Sequence, residues 1–303
     1  MNAEELVLLY QQGNRDFSRT NLSKIQILLA ELTHIDFNRT ELDWVNFSGT
    51  NLTKANLSRA NLSNARLIKT NLAEANLNSA DLTGADLSWA NLEKASLARV
   101  DLSGANLSHA NLSGANLSRA NLSDADLTGV DLSNADFTRA DFSYANFTNA
   151  DLSYASFNRA DMSGCSLRQS NLESAFLKGA NLRSANLRST ILTGAILRDT
   201  NRSNSSLATV SQLGLSSLQQ NNIIDLCSAN LSGANLQGTN LQNANFRFAL
   251  FFQATLERVN LEHANFVDVY LRGANLRGAN LKSSVLSGVN WKGTVMPDGT
   301  IHP

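Results

Sequence analysis

The chain has 303 residues and a formal net charge of −1, from 25 Lys and Arg against 26 Asp and Glu. Neither the strongly basic surface typical of nucleic-acid-binding proteins nor a strongly acidic surface follows from this bulk charge. Only 7% of the residues are aromatic and only two are proline, a composition that fits neither a disordered chain nor an ordinary mixed domain. Two cysteines are too few for a disulfide framework and favour a reducing compartment. No apolar run could span a membrane, so we expect a cytoplasmic protein.

The first residues predict a short helix that closes one end of the molecule. Asn2 is followed three positions later by Glu5, a spacing that is typical of a helix capping box. An apolar stripe follows, and it contains Leu6, Leu9 and Tyr10. Gly13 is a stop signal. We therefore predict a capping α-helix within residues 1–13.

Residues 14–200 repeat every five positions. A large apolar residue occupies every fifth position from Phe17 to Leu197, and a small or β-branched residue, usually Ala, lies two positions before each of them. The consensus Ala-(Asn/Asp)-Leu-Ser-Xaa is complete at residues 115–119. A spacing of five suits neither a helix nor a strand, because neither would keep the large residues on one face. The pattern predicts a chain that turns a corner in every repeat and points its Leu and Ala residues inward.

This consensus resembles the pentapeptide-repeat family, and the resemblance extends over nearly the whole chain. The resemblance implies an all-β fold, a right-handed quadrilateral β-helix with four pentapeptides in each coil. One surface feature independently supports a period of four pentapeptides, because arginine recurs in every fourth variable position with Ser79 as the only gap. These arginines, the arginine ladder, are Arg19, Arg39, Arg59, Arg99, Arg119, Arg139 and Arg159. We expect about 13 stacked coils of 20 residues in a single continuous solenoid domain.

The repeat pattern is interrupted once. It fails at Arg202 and returns from Leu226 in a different phase. We interpret residues 201–222, which are rich in Ser, Asn and Gln, as an insertion that leaves the coil and returns to it. Four apolar residues in it fit a short amphipathic helix, and these are Leu207, Val210, Leu213 and Leu218.

A second repeat block is predicted for residues 223–296, followed by a C-terminal cap at 297–303 that begins with the turn sequence Pro-Asp-Gly. The two terminal segments, residues 1–17 and 296–302, resemble those of cyanobacterial members of the family. In particular, they resemble a member that modulates heterocyst differentiation by binding its master regulator.

We find no set of residues with the spacing of a catalytic or metal site. The four histidines are scattered along the chain and match neither a metal-binding spacing nor a catalytic triad. Cys165 replaces an alanine in the core, whereas Cys227 lies in an outward position. The sequence therefore predicts that the protein is not an enzyme and uses no cofactor or metal.

Three surface features are candidates for binding a partner. The arginine ladder suits an anionic ligand, but four of its arginines have an acidic residue two positions later, and we favour ion pairs over a nucleic-acid site. The acidic residues are Glu41, Asp101, Asp141 and Asp161. Phe248 and Phe252 should face outward, where they could anchor a partner or a dimer, or the insertion could fold over them. Leu213 and Leu218 of the insertion complete the set.

The leading hypothesis is a non-enzymatic protein–protein interaction module, a rigid rod that presents its faces and the insertion to a protein partner. The resemblance adds a regulatory role in a cyanobacterium. We expect a monomer or weak dimer, with nucleic acid disfavoured and no membrane contact. The family also implies an alternative, a DNA-mimicking modulator of DNA gyrase. The near-neutral charge disfavours that alternative, because a DNA mimic needs an acidic surface.

Overall fold

The structure, a computed structural model, describes residues 1–193, 195–197, 200 and 224–303. The chain forms two compact units, Met1–Ser156 and Phe157–Pro303, hereafter unit 1 and unit 2. Within the described ranges, α1 (Ala3–Gln11) is the single helix, and it belongs to unit 1. In those ranges no helix is long and apolar enough to cross a membrane.

Helix α1 begins where the sequence predicts. The Asn2 side chain caps it by accepting a hydrogen bond from the Glu5 backbone N–H at 2.8 Å, which satisfies one of the unpaired donors of the first turn. Leu6 is fully buried. The Tyr10 hydroxyl donates to the Thr33 carbonyl oxygen at 2.9 Å, so the helix is attached to the first coils of the repeat. The predicted capping helix is confirmed.

Each pentapeptide turns a corner in the same way, as residues 61–65 illustrate. The Ala65 N–H donates to the Leu62 carbonyl oxygen at 3.0 Å, and Asn64 has a φ of +57°, which together describe a type II turn. The Asn61 side-chain oxygen accepts from the Ser63 N–H at 3.1 Å and so holds the chain in the turn. The repeated Asn or Asp before each Leu therefore stabilises the turn that follows it.

Successive coils are joined by parallel bridges at the Asn or Asp position, hereafter the bridge position. Asn61 pairs with Asp81, and Asp81 pairs with Asp101, so each bridge spans one coil of four pentapeptides. The Leu62 N–H donates to the Asp81 carbonyl oxygen at 2.7 Å. Unit 1 contains four columns of such bridges, which start at Asp16, Asn21, Gln26 and Glu31. Four columns per coil make a four-sided β-helix, as the period predicts.

The core consists of the Leu and Ala positions. Leu112 and most of its equivalents in both units have essentially no exposed surface. Threonine replaces Ala at several of the small positions, and in unit 1 the hydroxyl of each buried threonine donates to a backbone carbonyl of the preceding coil. The hydroxyls of Thr40, Thr50 and Thr70 donate to Phe17, Ile27 and Phe47 at 2.9, 2.8 and 2.8 Å.

The bridges of unit 2 measure the length of the insertion. Asn186 pairs with Asp225, Ile191 with Asn230 and Ile196 with Asn235. The two members of each pair are 39 positions apart along the chain, one fewer than the 40 positions of two coils. Residues in the other parallel pairs are 20 positions apart, so the insertion adds 19 residues, almost one coil. The predicted insertion at 201–222 lies outside the described residues, and so do Leu213 and Leu218. Beyond it the one-coil spacing returns, as in Leu250 with Tyr270.

Unit 2 ends in an antiparallel bridge between Val295 and Ile301, after a turn at 297–299. The Met296 N–H donates to the Thr300 carbonyl oxygen at 2.7 Å. Leu286 occupies a core position in the last coil, yet it is 38% exposed, because no further coil covers it within the described residues. The core is therefore less complete here than in the middle of unit 1.

Candidate protein-binding surface

The arginine ladder lies on the turns, in the position with positive φ. All seven arginines have φ between 55° and 65°, and all are exposed. Six of them, Arg19 to Arg139, belong to unit 1, and Arg159 belongs to unit 2. Each side chain therefore projects from a turn of the β-helix.

The ion pairs predicted for the ladder are absent from the described residues. None of the four acidic residues lies within ion-pair distance of its arginine. The Glu41 carboxylate instead accepts from the Asn61 amide at 2.8 Å, and Asp101 accepts from the Asn121 amide at 3.1 Å. Asp161 accepts from the Asn181 amide at 2.9 Å. These acids point along their column to the next coil, so they do not reach the arginine across the corner.

Four aromatic residues of unit 1 are exposed. They are Trp44, Trp89, Tyr144 and Tyr154. Each occupies a turn position with positive φ. The Trp89 ring stacks on the His109 ring with centroids 4.4 Å apart. They are spread over three corners of unit 1 and do not form one patch.

Phe248 and Phe252 are also exposed, 46% each, as the sequence predicts. They lie on the two turns that flank Leu250, which is 42% exposed at a bridge position. The bridges place Tyr270 on one side of Leu250, and on the other side Asn230 and then Ile191. The sequence interpretation missed Ile191, Leu250 and Tyr270. We call the five residues Ile191, Phe248, Leu250, Phe252 and Tyr270 the apolar strip.

Apolar residues at bridge positions occur only in unit 2 among the described residues. Every bridge position of unit 1 holds a polar or charged residue. In unit 2 the apolar exceptions are Phe176, Ile191, Ile196, Leu250, Tyr270, Val285 and Val295. An apolar side chain here gives up the turn-capping hydrogen bond that Asn61 makes. The phase of the repeat places Leu250 and Tyr270 outward, so the signal was present in the sequence.

The two units carry opposite charges. Unit 1 has 12 Lys and Arg and 18 Asp and Glu, a formal net charge of −6. Unit 2 has 13 Lys and Arg and 8 Asp and Glu, a net charge of +5. The overall value of −1 is therefore the sum of two unequal contributions, one negative and one positive. The acids of unit 1 occupy all four columns, as Asp36, Asp81, Asp86 and Asp131 illustrate.

Cations border the apolar strip on both sides. The Arg247 guanidinium lies 5.1 Å from the Phe248 ring centroid, and the Arg272 guanidinium lies 6.0 Å from the Phe252 centroid. Both are cation–π contacts. Ile191, Asn230, Leu250 and Tyr270 belong to one column of bridges. The turns that precede this column in the chain carry Arg168, Arg188 and Arg247, and the turns that follow it carry Arg272 and Lys292, all of them exposed.

The described residues do not assemble chemistry for catalysis. No group of three or more His, Cys, Asp and Glu among them could hold a metal ion. A shallow groove of about 430 Å³ lies between α1 and the first coil. Its lining is mainly apolar and aliphatic, and Glu4 is its one titratable residue. A single carboxylate has no partner there for acid–base work.

The two cysteines, both free, differ in their surroundings. Burial raises the pKa of the Cys165 thiol well above its ordinary value, and the thiolate is the reactive form. Cys227 is partly exposed. We expect a maleimide to label Cys227 alone in the native protein and both thiols in urea, as read by peptide mass spectrometry. Labelling of Cys165 in the native protein would contradict its burial.

Comparison with known proteins identifies the family. The Pentapeptide repeats family model matches residues 16–59, 55–93, 95–134, 131–169, 160–199, 229–266 and 264–294. The chain belongs to the pentapeptide-repeat family. Its members form right-handed quadrilateral β-helices, in agreement with the four columns of bridges. The prediction from the consensus is confirmed.

Solved structures of pentapeptide-repeat proteins resemble the chain. HetL, involved in heterocyst differentiation regulation in the cyanobacterium Nostoc sp. strain PCC 7120, is 30% identical over 100% of both chains, with a TM-score of 0.28. Rfr23 from the cyanobacterium Cyanothece 51142 is 31% identical over 42% of this chain and 61% of Rfr23, with a TM-score of 0.13. Full-length QnrB1, a plasmid-mediated fluoroquinolone resistance protein, is 17% identical over 88% of this chain and 92% of QnrB1, with a TM-score of 0.31. No curated protein sequence matches the chain.

Proposed function

We propose that this pentapeptide-repeat protein is a non-enzymatic protein-binding module and that the apolar strip of unit 2 is its binding surface. One observation carries the proposal. Four large apolar side chains, Phe248, Leu250, Phe252 and Tyr270, lie exposed on adjoining turns and coils, and Ile191 lies one coil beyond Asn230. The equivalent positions in unit 1 are almost all polar.

The stability of the fold does not explain why apolar residues occupy the strip. An asparagine at position 250 would cap its turn and bond to the next coil, whereas Leu250 stays 42% exposed and gains little from packing. Side chains of this size, about half exposed, present on the order of 400 Å² of apolar surface. That is about half of what one partner contributes to a standard protein interface. Such a patch suits the apolar centre of an interface with a polar rim.

The DNA-mimic alternative has one observation in its favour, the net charge of −6 on unit 1. We place it second, because the acids lie on all four columns and alternate with asparagines and arginines instead of forming one acidic face. A supercoiling assay with purified DNA gyrase tests it. Inhibition that is lost when Asp131 and Asp151 are changed to asparagine would favour the mimic over the apolar strip.

The leading proposal predicts that Leu250→Asn with Tyr270→Asn abolishes capture of the partner from a lysate of the source cell. Asparagine is the common residue at bridge positions, so the fold and melting temperature should be retained. The matched control is Tyr144→Asn with Tyr154→Asn, which removes two exposed aromatic rings from unit 1. Full capture by the strip variant, or equal loss in both variants, would contradict the proposal.

The insertion remains a second candidate for partner contact. A variant in which a linker as long as one pentapeptide replaces residues 201–222 distinguishes binding by the insertion from binding by the apolar strip. Loss of the partner with the linker would place recognition in the insertion, and retention would leave the strip as the site.

The finer parts of the proposal concern the setting of the protein. A regulatory role in a cyanobacterium draws support from the identity of 30% with HetL over the full length. A cytoplasmic location is supported by the two free cysteines, since thiols stay reduced there. We propose a protein that is a monomer or weak dimer when its partner is absent.

A further inference from the structure

We infer that the apolar strip binds an acidic amphipathic helix of the partner protein. This inference rests on the proposed function and adds the chemistry of the ligand. It is carried by the cations beside the strip, by the backbone pairing within it and by its spacing.

The charge next to the strip is positive. Five cations lie on the turns that border its column, against two acids on the same turns, Glu173 and Asp268. Asp225 of the neighbouring column lies 3.9 Å from Arg188 and partly engages it. Unit 2 as a whole carries +5. A ligand rich in carboxylates is therefore steered towards this surface and held at its rim.

Arg247 and Arg272 are suited to this role. Each guanidinium lies over a phenylalanine ring, and a stacked guanidinium can still donate from its edge to a carboxylate in a bidentate pair. A ligand that covers Phe248 and Phe252 with apolar groups would bring its flanking carboxylates to these two arginines.

The backbone of the strip is not available for strand addition. The Leu250 N–H donates to the Ala229 carbonyl oxygen at 3.0 Å, and the Leu250 carbonyl oxygen accepts from the Leu231 N–H at 2.7 Å. β-Strand addition needs an unpaired edge, so a ligand must bind through side chains.

The spacing of the strip suits a helix laid along the column. Coils stack about 4.8 Å apart, so the three steps from Ile191 to Tyr270 span about 14 Å. A helix repeats every 5.4 Å, and about ten residues cover that length. Apolar residues at every third or fourth position of the ligand would then meet successive coils, with acidic residues towards the two arginine-bearing corners.

The test uses a fluorescein-labelled peptide of about 14 residues, built from Glu and Ala with Leu at every third or fourth position. Fluorescence anisotropy measures its binding to the full-length protein. We expect saturable binding that weakens with salt, and affinity lower by about tenfold or more for a peptide with Lys in place of Glu. Equal affinity for both peptides, or tighter binding of a polyuridine oligonucleotide, would overturn the inference.

Two variants locate the site. Arg247→Glu with Arg272→Glu and, separately, Leu250→Asn with Tyr270→Asn should each weaken peptide binding by about tenfold or more. Arg119→Glu with Arg139→Glu in unit 1 is the matched charge control and should leave the affinity unchanged. Melting temperatures confirm that the variants are folded.

The same variants separate failure of the inference from failure of the proposed function. If charge reversal leaves capture of the cellular partner intact while the apolar variant loses it, the strip binds a partner that is not acidic and the inference is wrong. If neither variant affects the cellular partner or the peptide, both the inference and the proposed function are wrong.

Discussion

Replacing Leu112 with alanine is expected to lower the free energy of unfolding by about 2–5 kcal/mol. Leu112 is fully buried in the middle of unit 1. Its N–H donates to the Asp131 carbonyl oxygen at 2.7 Å, so the adjacent backbone is fixed and cannot collapse into the cavity. The loss therefore includes both the transferred apolar surface and the cavity left behind.

Leu286→Ala is the matched control, because Leu286 occupies the same core position in the last coil but is 38% exposed. Its cost should be lower, about 1–2 kcal/mol, since part of the side chain is already in water and no closed cavity forms. Urea denaturation followed by circular dichroism measures both variants. Equal losses would show that burial within the coil does not determine the stability of this solenoid.

The contrast follows from the way that a solenoid is stabilised. Each coil contacts only its neighbours, so stability is a sum over coils and the interfaces between them. A central coil has two neighbours and a terminal coil has one. The position of a residue along the helix therefore predicts the cost of its truncation better than its residue type does.

The repeating fold could be predicted from the sequence because the residues of each pentapeptide determine its local structure. Asn61 caps a turn, Asn64 takes the positive φ and Leu62 faces the core. These roles depend on residues at most four positions apart, so a periodic sequence suffices to deduce them. The helix α1 was predicted for the same reason, from its cap and its apolar stripe.

The surface could be predicted only in part, because it depends on competition between coils. The spacing of Arg39 and Glu41 suggested an ion pair, but the Glu41 carboxylate bonds to Asn61 of the next coil at 2.8 Å. The hydrogen bonds between one coil and the next determine which partner a surface carboxylate takes. These partners are 20 residues apart, so a comparison of residues close together in the sequence does not reveal them. The apolar strip has the same origin, since Leu250 and Tyr270 become neighbours only when coils stack.

The register of unit 2 leads to the second large expected effect. Bridges such as Asn186 with Asp225 join residues that are 39 positions apart. Removing the 19 residues 204–222 would reduce this separation to 20 positions, the spacing of one coil. We expect a variant with this deletion, combined with Arg202→Leu, to fold with all four columns continuous. The substitution is needed because position 202 has the phase of a core residue. A shorter connection costs less closure entropy, so this variant should gain about 1–2 kcal/mol.

The matched control removes one residue more, 204–223, and leaves the chain one residue short of a coil. A coil with one residue too few cannot form a bulge, which needs an extra residue. Either a turn must open, or the second repeat block must shift its register by one residue. A slip by one position would carry every Leu after the junction out of the core. We expect this variant to lose on the order of 2–4 kcal/mol through broken backbone hydrogen bonds. Urea midpoints compare the two deletions, and equal stability would mean that the columns on either side of the insertion are not held in this register.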